Sequence, residues 1–251
     1  MRLKGKRAFI TGAGSGIGWE TARQMVLEGA HAALIGLPSD EVERKAKRLR
    51  PSALGVFADV SDEAQVKNAV EAAVKAFGGI DILVASAGIQ LHLEDRDLHT
   101  LQSEAWDRTH NVNYRGVFLT VKHVLNEMVE SGSGGSVAIV SSVTGLSGFS
   151  ANPAYLSGKH GLIGLSRHVA VHYGRYGVRC NAVCPGALER TPNHEEHPDP
   201  KGRAERFEAR VPLGRLGSPA EVANALVFLS SDEASYINGA CLTIDGGLSS
   251  A

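Results

Sequence analysis

The chain has 251 residues, a length that suits one large α/β domain with a sizeable core. Its formal net charge of -1 gives no basic footprint, so we expect no nucleic-acid partner. The sequence contains no apolar run of roughly 18 residues and no secretory apolar core near its start, so we expect neither a membrane partner nor export. The three cysteines, Cys180, Cys184 and Cys241, lack paired metal spacing. We expect Cys180 and Cys184 to be buried small hydrophobic residues in a cytoplasmic protein.

Apolar strand-like runs alternate with helical patterns along most of the chain. Strands are predicted at 7–11, 31–36, 53–58, 80–86, 136–141, 178–184 and 240–244. Helices are predicted at 17–28, 40–49, 62–77, 103–130, 153–173 and 219–230. Alternating strands and helices need crossover connections, which predicts a parallel, doubly wound, seven-stranded sheet with helices on both faces. We therefore expect a single Rossmann-type α/β domain over residues 1–251.

The first predicted strand runs into the glycine-dense turn 11–18, which reads TGAGSGIG, and then into a helix. Glycines let a ligand approach the backbone, and a helix start presents unpaired N–H groups, so this turn is typical of a phosphate site. Ile17 occupies the third glycine position of the G-x-G-x-x-G fingerprint, and the pattern here is G-x-x-x-G-x-G. The predicted phosphate-binding residues are Gly12, Gly14, Ser15, Gly16, Ile17 and Gly18.

Tyr155 and Lys159 lie four positions apart in a segment with helical patterning. Residues at this spacing share one helix face, so the ammonium is expected near the phenol. A nearby positive charge favours the phenolate and lowers the pKa of the tyrosine. Taken alone, the pair is better explained by an amphipathic helix that carries an aromatic residue and a solvated lysine.

Together, the glycine turn and the Tyr155–Lys159 pair resemble the classical short-chain dehydrogenase/reductase family. Further family elements occur in order along essentially the whole chain. They are Asp59-Val60, Ala87-Gly88, Asn113, Ser142, Pro185-Gly186 and the closing Ile244-Asp245-Gly246-Gly247. The resemblance implies an NAD(P)-dependent oxidoreductase that interconverts a secondary alcohol and a ketone.

The resemblance also implies a catalytic set of Asn113, Ser142, Tyr155 and Lys159. Tyr155 would be the general acid or base, and Lys159 would lower its pKa and bind the nicotinamide ribose. Ser142, thirteen residues before Tyr155, would donate to the substrate oxygen; Ser141 is the alternative.

Asn113 corresponds to the asparagine of the family's proton relay, with Asn111 as a near-duplicate. Its position inside a predicted helix is consistent with a local kink.

The resemblance assigns further cofactor contacts to strand ends and to the segment after the sixth strand. They are Gly36, Leu37, Asp59, Val60, Ala87, Gly88, Pro185, Gly186, Leu188 and Thr191, together with Tyr155 and Lys159. Gly36 and Leu37 supply neither an acidic side chain to bind a ribose 2′-hydroxyl nor a basic side chain to bind a 2′-phosphate. Asp40 is close by in sequence. We therefore predict NAD(H), with NADP(H) as the alternative if a cation from 44–50 folds back.

Two positions depart from the family pattern. Ser86 replaces the second asparagine of the family's Asn-Asn-Ala-Gly segment. Arg190 occupies the usual threonine position after Pro185-Gly186, and Thr191 follows one residue later. The role of Thr191 is open for that reason.

Residues 187–217 form a connection much longer than the ~12–15 residues of an ordinary loop, and the resemblance makes it the substrate-binding lid. Predicted substrate contacts are Gln90, Ser142, Thr144, Phe149 and Tyr155, with Leu91, Leu146 and 187–191 as further walls. The run His194-Glu195-Glu196-His197 is interpreted as a solvated loop without helix or strand, and no metal is assigned. Residues 90–100 are also predicted to be a loop.

Gly158, Gly161 and Gly164 form a strip of small residues that suits a subunit contact, and the apolar segment 237–248 suits a second. We expect a homotetramer, or at least a dimer, acting on a small-molecule alcohol or ketone. Two alternative functions are a 3-oxoacyl-thioester (acyl carrier protein) reductase and a non-catalytic cofactor-binding regulatory protein. The complete catalytic set argues against the second.

Overall fold

A computed structural model describes residues 1–148 and 150–250. Its centre is one seven-stranded sheet in the order β3-β2-β1-β4-β5-β6-β7, and every pair of neighbouring strands is parallel. The strands are β1 (Arg7–Thr11), β2 (His31–Gly36), β3 (Ala53–Phe57), β4 (Ile82–Ala85), β5 (Gly135–Val140), β6 (Val178–Pro185) and β7 (Cys241–Ile244). The predicted parallel sheet is confirmed.

Helices connect the strands. They are α1 (Gly16–Leu27), α2 (Val42–Lys47), α3 (Glu63–Phe77), α4 (Ser103–His110), α5 (Gly116–Glu130), α6 (Pro153–Tyr173), α7 (Pro192–Glu195), α8 (Pro200–Glu208) and α9 (Pro219–Ser230). The single helix predicted at 103–130 is instead α4 and α5 joined by a π-helical segment, Asn111–Arg115. Such segments are rare and recur at functional sites, and this one contains Asn113.

Alternate strand residues pack on opposite faces of the sheet. Ile10 and Leu34 join the core beside α1 and α9, whereas Phe9 and Leu83 join the core beside α3, α5 and α6. Both faces are therefore covered, as a doubly wound fold requires. Strand order reverses between β1 and β4, and ligands bind outside the carboxyl ends of the strands at such a point.

The lid is more ordered than the sequence interpretation proposed. The His194-Glu195-Glu196-His197 run does not lie in a structureless loop, because His194 and Glu195 belong to α7. Pro192 and Pro200 occupy the first turns of α7 and α8, where proline is favoured.

The glycine strip on α6 was also misinterpreted in part. A Cβ at Gly161 would lie 2.8 Å from Cε2 of Tyr114, and Gly158 faces His110 and Asn113 of the same chain. Only Gly164, of the three, has open space beside it. Gly161 therefore allows α6 to approach the π-helical segment within the chain, whereas a Cβ at Gly158 would make only ordinary contacts at 3.9–4.0 Å.

Cys180 and Cys184 are buried and Cys241 is partly buried, and all three are free. No helix in the described part of the chain combines the length and apolar character needed to cross a membrane.

Candidate active site

One large cavity, of about 680 Å³, runs along the carboxyl ends of the strands. Its volume lies within the roughly 300–1,000 Å³ of small-molecule sites. The wall includes segments from the glycine turn, the ends of β2, β4 and β5, the start of α6 and the lid. The predicted ligand crevice and the observed cavity therefore coincide.

The glycine turn packs tightly against its own chain and lines the cavity. Gly12 has a left-handed φ of 64°, and a Cβ there would lie only 2.9 Å from Cα of Ala87. A Cβ at Gly18 would collide with the carbonyl oxygen of Gly12. Ser15, the residue before α1, makes no side-chain cap, which leaves the first N–H groups of the helix for another acceptor. These features fit a dinucleotide phosphate group.

Most predicted phosphate-site residues line the cavity, but Gly14 does not. Gly14 packs against the side chain of Asp40, and its carbonyl oxygen accepts a hydrogen bond from Nζ of Lys45. Its lack of a side chain makes room for Asp40 rather than for the ligand. Gly14 stays a predicted cofactor contact, next to a supporting role for Asp40 and Lys45.

The end of β2 forms the far end of the cavity. Gly36, Leu37, Asp59 and Val60 line it as predicted, together with Asp40. The Leu37 N–H donates to Oδ2 of Asp40 at 2.7 Å, which fixes the carboxylate beside the strand end.

Lys45 is the cation of 44–50 that folds back. It lies 5.7 Å from the ring centre of Trp19 and donates to Gly14, and it is not part of the described cavity wall.

Ser142 and Tyr155 face each other at the reactive end of the cavity. Tyr155 lies in the first turn of α6 and Ser142 follows β5, so both are fixed by regular elements. Burial raises the pKa of Tyr155, while its hydrogen bond with Ser142 and the charge of Arg203 lower it less strongly. The pKa of Tyr155 is therefore raised overall, whereas the sequence predicted that Lys159 would lower it. Desolvation of the phenolate outweighs the neighbouring charges here.

Lys159 lies one helical turn beyond Tyr155, with Nζ 5.4 Å from the tyrosine ring centre. Its side chain is buried and Nζ donates to the carbonyl oxygen of Val140 at 2.9 Å. Burial lowers the pKa of Lys159 to about 8. A lysine with this pKa can exchange its proton near neutral pH, which is the behaviour expected of a relay.

Asn113 is fully buried behind the cavity wall rather than in it. Its Oδ1 accepts from the N–H of Ile89 at 2.7 Å, and its Nδ2 donates to the Ile89 carbonyl at 2.8 Å. The side-chain amide therefore holds the segment after β4. A Cβ at Gly88 would lie 3.3 Å from Oδ1 of Asn113 and 3.8 Å from Nζ of Lys159, which shows how close these groups are.

Ser141 has a different environment from Ser142. It is 3% exposed, and its hydroxyl donates to the Lys159 carbonyl at 2.8 Å. Ser142 instead meets Tyr155 and accepts from the Thr144 N–H at 3.2 Å. Strand alternation turns the two hydroxyls apart, as the sequence predicted.

The remaining cofactor and substrate positions mostly meet in the same cavity. Its wall includes Ala87, Gly88, Pro185, Gly186, Leu188, Thr191, Gln90 and Thr144. Leu91 and Leu146 are not in the described wall, and Phe149 lies outside the described residues.

Arg190 adopts a left-handed φ of 51° and pairs with Glu189 at 2.5 Å. Thr191 next to it lies beside Gly16, so the shifted position still reaches the cavity.

The sequence interpretation missed several residues near this site. Arg203 of α8 lines the cavity, and its charge acts on Tyr155. His92 meets the lid through Asn193, with 2.9 Å between Nε2 and the carbonyl oxygen. Asp95 caps the start of α6 with both carboxylate oxygens. None of these contacts follows from a local pattern, because each joins segments far apart in sequence.

Among the described residues, no group of three or more His, Cys, Asp or Glu side chains is arranged to hold a metal ion.

Comparison with known proteins identifies the family. The family profile described as enoyl-(acyl carrier protein) reductase matches residues 12–249. The chain is 38% identical to levodione reductase of Leifsonia aquatica, over 100% of this chain and 96% of that protein. It is 39% identical to the 3-oxoacyl-[acyl-carrier-protein] reductase of Thermotoga maritima, over 99% of both. A crystal structure of levodione reductase superposes with a TM-score of 0.92 at 37% identity, covering 100% of both chains.

The chain belongs to the short-chain dehydrogenase/reductase family. The predicted family, the Rossmann-type fold and the oxidoreductase class are thereby confirmed. As a member of this family it binds NAD(P), and the choice between the two cofactors is a separate question.

Proposed function

We propose that the chain interconverts a secondary alcohol and a ketone at the Ser142–Tyr155 pair, with Asn113 and Lys159 completing the catalytic set. The observation that carries this proposal is that Ser142 and Tyr155 line the same cavity as the glycine turn, with Ser142 close enough to lower the pKa of Tyr155. A substrate oxygen between these hydroxyls could accept hydrogen bonds from both.

A nicotinamide dinucleotide, when bound, supplies or accepts the hydride. Gly12, Gly16 and Gly18 would hold its phosphates against the start of α1. Ser142 would stabilise the charge that develops on the substrate oxygen. Tyr155 would donate a proton to that oxygen in reduction and remove it in oxidation.

Lys159 would restore the proton of Tyr155 from the protein side. A buried lysine with a pKa of about 8 can act in this way. Its ammonium, when charged, would also offset the desolvation that raises the pKa of Tyr155. Asn113 would hold the Ile89 backbone at the inner wall, and we retain its place in the proton relay as part of the proposal.

We further propose NAD(H) as the preferred cofactor. Asp40 is fixed at the cavity wall by the Leu37 N–H, and a carboxylate there favours a ribose hydroxyl over a 2′-phosphate. Lys45 is engaged with Gly14 and Trp19, so it supplies no cation to the described wall.

We also propose that the protein self-associates as a dimer or tetramer. Phe118 on α5 is 45% exposed and Val171 on α6 is 75% exposed. An uncovered apolar helix pair and the edge strand β7 favour contacts with further copies.

The three free cysteines, two of them buried, suit a reducing compartment. We therefore propose a cytoplasmic location, which cell fractionation would test.

The test of the proposed activity combines the purified chain, NAD⁺ or NADP⁺, and a panel of secondary alcohols, with the ketones assayed in reverse. Appearance of the reduced nicotinamide is expected for some member of the panel and is expected to be lost in Tyr155→Phe. Cofactor binding without turnover of any member would instead support a regulatory protein.

A second candidate is a 3-oxoacyl-thioester reductase, which the similarity to the Thermotoga protein favours. Assaying acetoacetyl thioesters beside simple ketones separates the two. A strong preference for the acyl carrier protein thioester over every free ketone would select this candidate.

A further inference from the structure

Arg203 places a positive charge inside the cavity, close to the reacting end. The residue lies on α8, is half-buried, and shares the cavity wall with Ser142 and Tyr155. Its guanidinium lies 5.0 Å from the ring centre of Phe207, and Nη1 lies 3.3 Å from Nδ1 of His194. The arginine is therefore held in place by contacts with the rings of Phe207 and His194 on the lid.

No carboxylate pairs with Arg203 among the described residues at the 4.0 Å limit of an ion pair. The acid at the start of α8, Asp199, pairs with Arg206 instead, at 3.2 Å. Glu196 shares the cavity wall but forms no such pair. Burial lowers the pKa of Arg203, Tyr155 raises it and Arg206 lowers it. The cation is desolvated without an acid to offset the cost.

The neighbouring charges reinforce this character. Arg206 also lines the cavity, about one helical turn after Arg203 on α8, and Arg210, beyond the end of α8, lines it too. The lid therefore brings three arginine side chains to the cavity wall, of which Arg206 is paired with Asp199.

We propose that Arg203 binds a carboxylate of the substrate, so that the enzyme acts on hydroxy acids or the matching oxo acids. The inference rests on the proposed function. The secondary alcohol carbon would lie at Ser142 and Tyr155, and the carboxylate would meet the planar guanidinium, whose paired donors match its two oxygens. In oxidation, the alcohol carbon loses a hydride to the cofactor and its oxygen loses a proton to Tyr155. The carboxylate remains unchanged.

The cofactor is a less suitable partner for Arg203. The charge of Arg203 acts on Tyr155, the residue at the reactive end, whereas the residues proposed to hold the phosphates are Gly12, Gly16 and Gly18 of the glycine turn. A role in ionising Tyr155 alone would affect charged and neutral substrates alike, which makes the two roles separable by experiment.

The test compares oxo acids with their neutral amides in matched pairs. Suitable pairs are 3-oxobutanoate and 3-oxobutanamide, 4-oxopentanoate and 4-oxopentanamide, and 4-oxocyclohexanecarboxylate and its carboxamide. The three pairs vary the distance from ketone to carboxylate. In at least one pair, we expect kcat/KM for the acid to exceed that for the amide about 10- to 100-fold.

Three variants test whether Arg203 causes the preference for the acid over the amide. Arg203→Met is expected to reduce the acid-to-amide ratio to near one through loss on the acid alone, and Arg203→Lys is expected to retain an intermediate ratio because it keeps the charge. Lys201→Met is the matched control, because it removes a positive charge from an exposed position of α8 outside the described cavity wall. An unchanged circular dichroism spectrum and thermal unfolding midpoint in each variant check that the protein still folds.

A binding measurement on the unmodified enzyme supplements the kinetics. Cyclohexanecarboxylate should inhibit reduction of a neutral ketone competitively. The inhibition constant of cyclohexanecarboxamide should be at least about tenfold higher.

Equal use of acids and amides would overturn the inference while leaving the ketone reductase function intact. Survival of the acid preference in Arg203→Met would do the same. An equal loss of kcat/KM on both members of a pair would show that Arg203 acts through the ionisation of Tyr155. A raised KM for the cofactor would show that Arg203 binds the cofactor. Either result also overturns the inference. No turnover of any ketone, neutral or charged, would reject the proposed function and the inference with it.

Discussion

The carboxylate of Asp95 holds the backbone of Tyr155, with Oδ2 accepting the Tyr155 N–H at 2.9 Å. Its other oxygen accepts the N–H of Ala154, also at 2.9 Å, and Asn152 bonds to the Asp95 carbonyl. Asp95 is fully buried, so these bonds replace its contacts with water. A residue from the loop after β4 thereby fixes the first turn of the helix that carries Tyr155.

Asp95→Ala is expected to lower the free energy of unfolding by about 1–3 kcal/mol, because two helix N–H groups lose a charged acceptor. It should also reduce kcat, since Tyr155 is then less well positioned. Asp95→Asn should retain part of the stability and part of kcat, because its amide oxygen can still accept a hydrogen bond from a helix N–H group. Denaturant unfolding and steady-state kinetics measure the effects, with exposed Asp97→Ala as the control. Equal behaviour of the two alanine variants would contradict the assigned role.

The elements that could be predicted from sequence are those with local signals. The glycine turn joins a strand and a helix within 11–18, and the Tyr155–Lys159 spacing is one helical turn. Asp95 and Arg203 carry no such signal. Asp95 contacts Tyr155 across 60 positions of sequence, in a loop whose polar composition suggested only solvent exposure. Such positions depend on packing between distant segments.

Two corrections have the same physical origin. Glycine in a helix indicates close packing, but the sequence does not say what approaches; for Gly161 it is Tyr114 of the same chain. Burial of Tyr155 was likewise invisible from the Lys159 spacing, although it determines the direction of the tyrosine pKa. A local pattern places a residue on a face without specifying its environment.

The two adjacent serines should separate catalysis from stability. Ser142→Ala is expected to lower kcat by about 10²-fold or more, because it removes a donor from the developing oxyanion. Ser141→Ala should leave kcat within a few-fold but cost about 1 kcal/mol in unfolding, because it loses the bond to the Lys159 carbonyl. Kinetics and denaturant unfolding on both variants test the assignment. The opposite order of kcat losses would exchange the roles of the two serines.

Lys159 should make the stability depend on alkaline pH. Its pKa is about 8 in the folded protein against an ordinary value of 10.5, so the unfolded chain binds more protons between these values. Stability from this group therefore rises as pH increases from about 8 to 10.5, by roughly 3 kcal/mol in all. Burial raises the pKa of Cys180 and of Cys184, which acts in the opposite direction as those thiols ionise on unfolding.

Comparing variants isolates the lysine contribution. The difference in unfolding free energy between Lys159→Met and the unmodified protein should shrink as pH rises through this range, because the variant no longer buries an ammonium. Exposed Lys201→Met should show a constant difference. Parallel stability curves for Lys159→Met and the unmodified protein would refute a depressed lysine pKa.

Self-association should appear as a mass in light scattering well above the 26.5 kDa of one chain. If the outer face of α6 forms a contact, Gly164→Arg should reduce the assembly, because open space beside Gly164 lets the variant fold. Asn68→Arg on the exposed face of α3 is the control. A monomeric mass for the unmodified protein at micromolar concentration would refute association. An unchanged assembly in Gly164→Arg would exclude this face as the contact.

Cofactor preference should depend on the end of β2. We expect kcat/KM to be higher with NAD⁺ than with NADP⁺, because a 2′-phosphate would meet the Asp40 carboxylate and no cation from the described wall. Leu37→Arg should raise kcat/KM for NADP⁺ about 10-fold or more, since the side chain can reach a phosphate from a position that is 45% exposed. Leu27→Arg adds the same charge at an exposed site on α1 outside the wall, and it should change neither value. A kcat/KM about tenfold higher with NADP⁺ in the unmodified enzyme would overturn the preference. An equal response of the two arginine variants would instead show that net charge, rather than a contact at Leu37, controls NADP⁺ use.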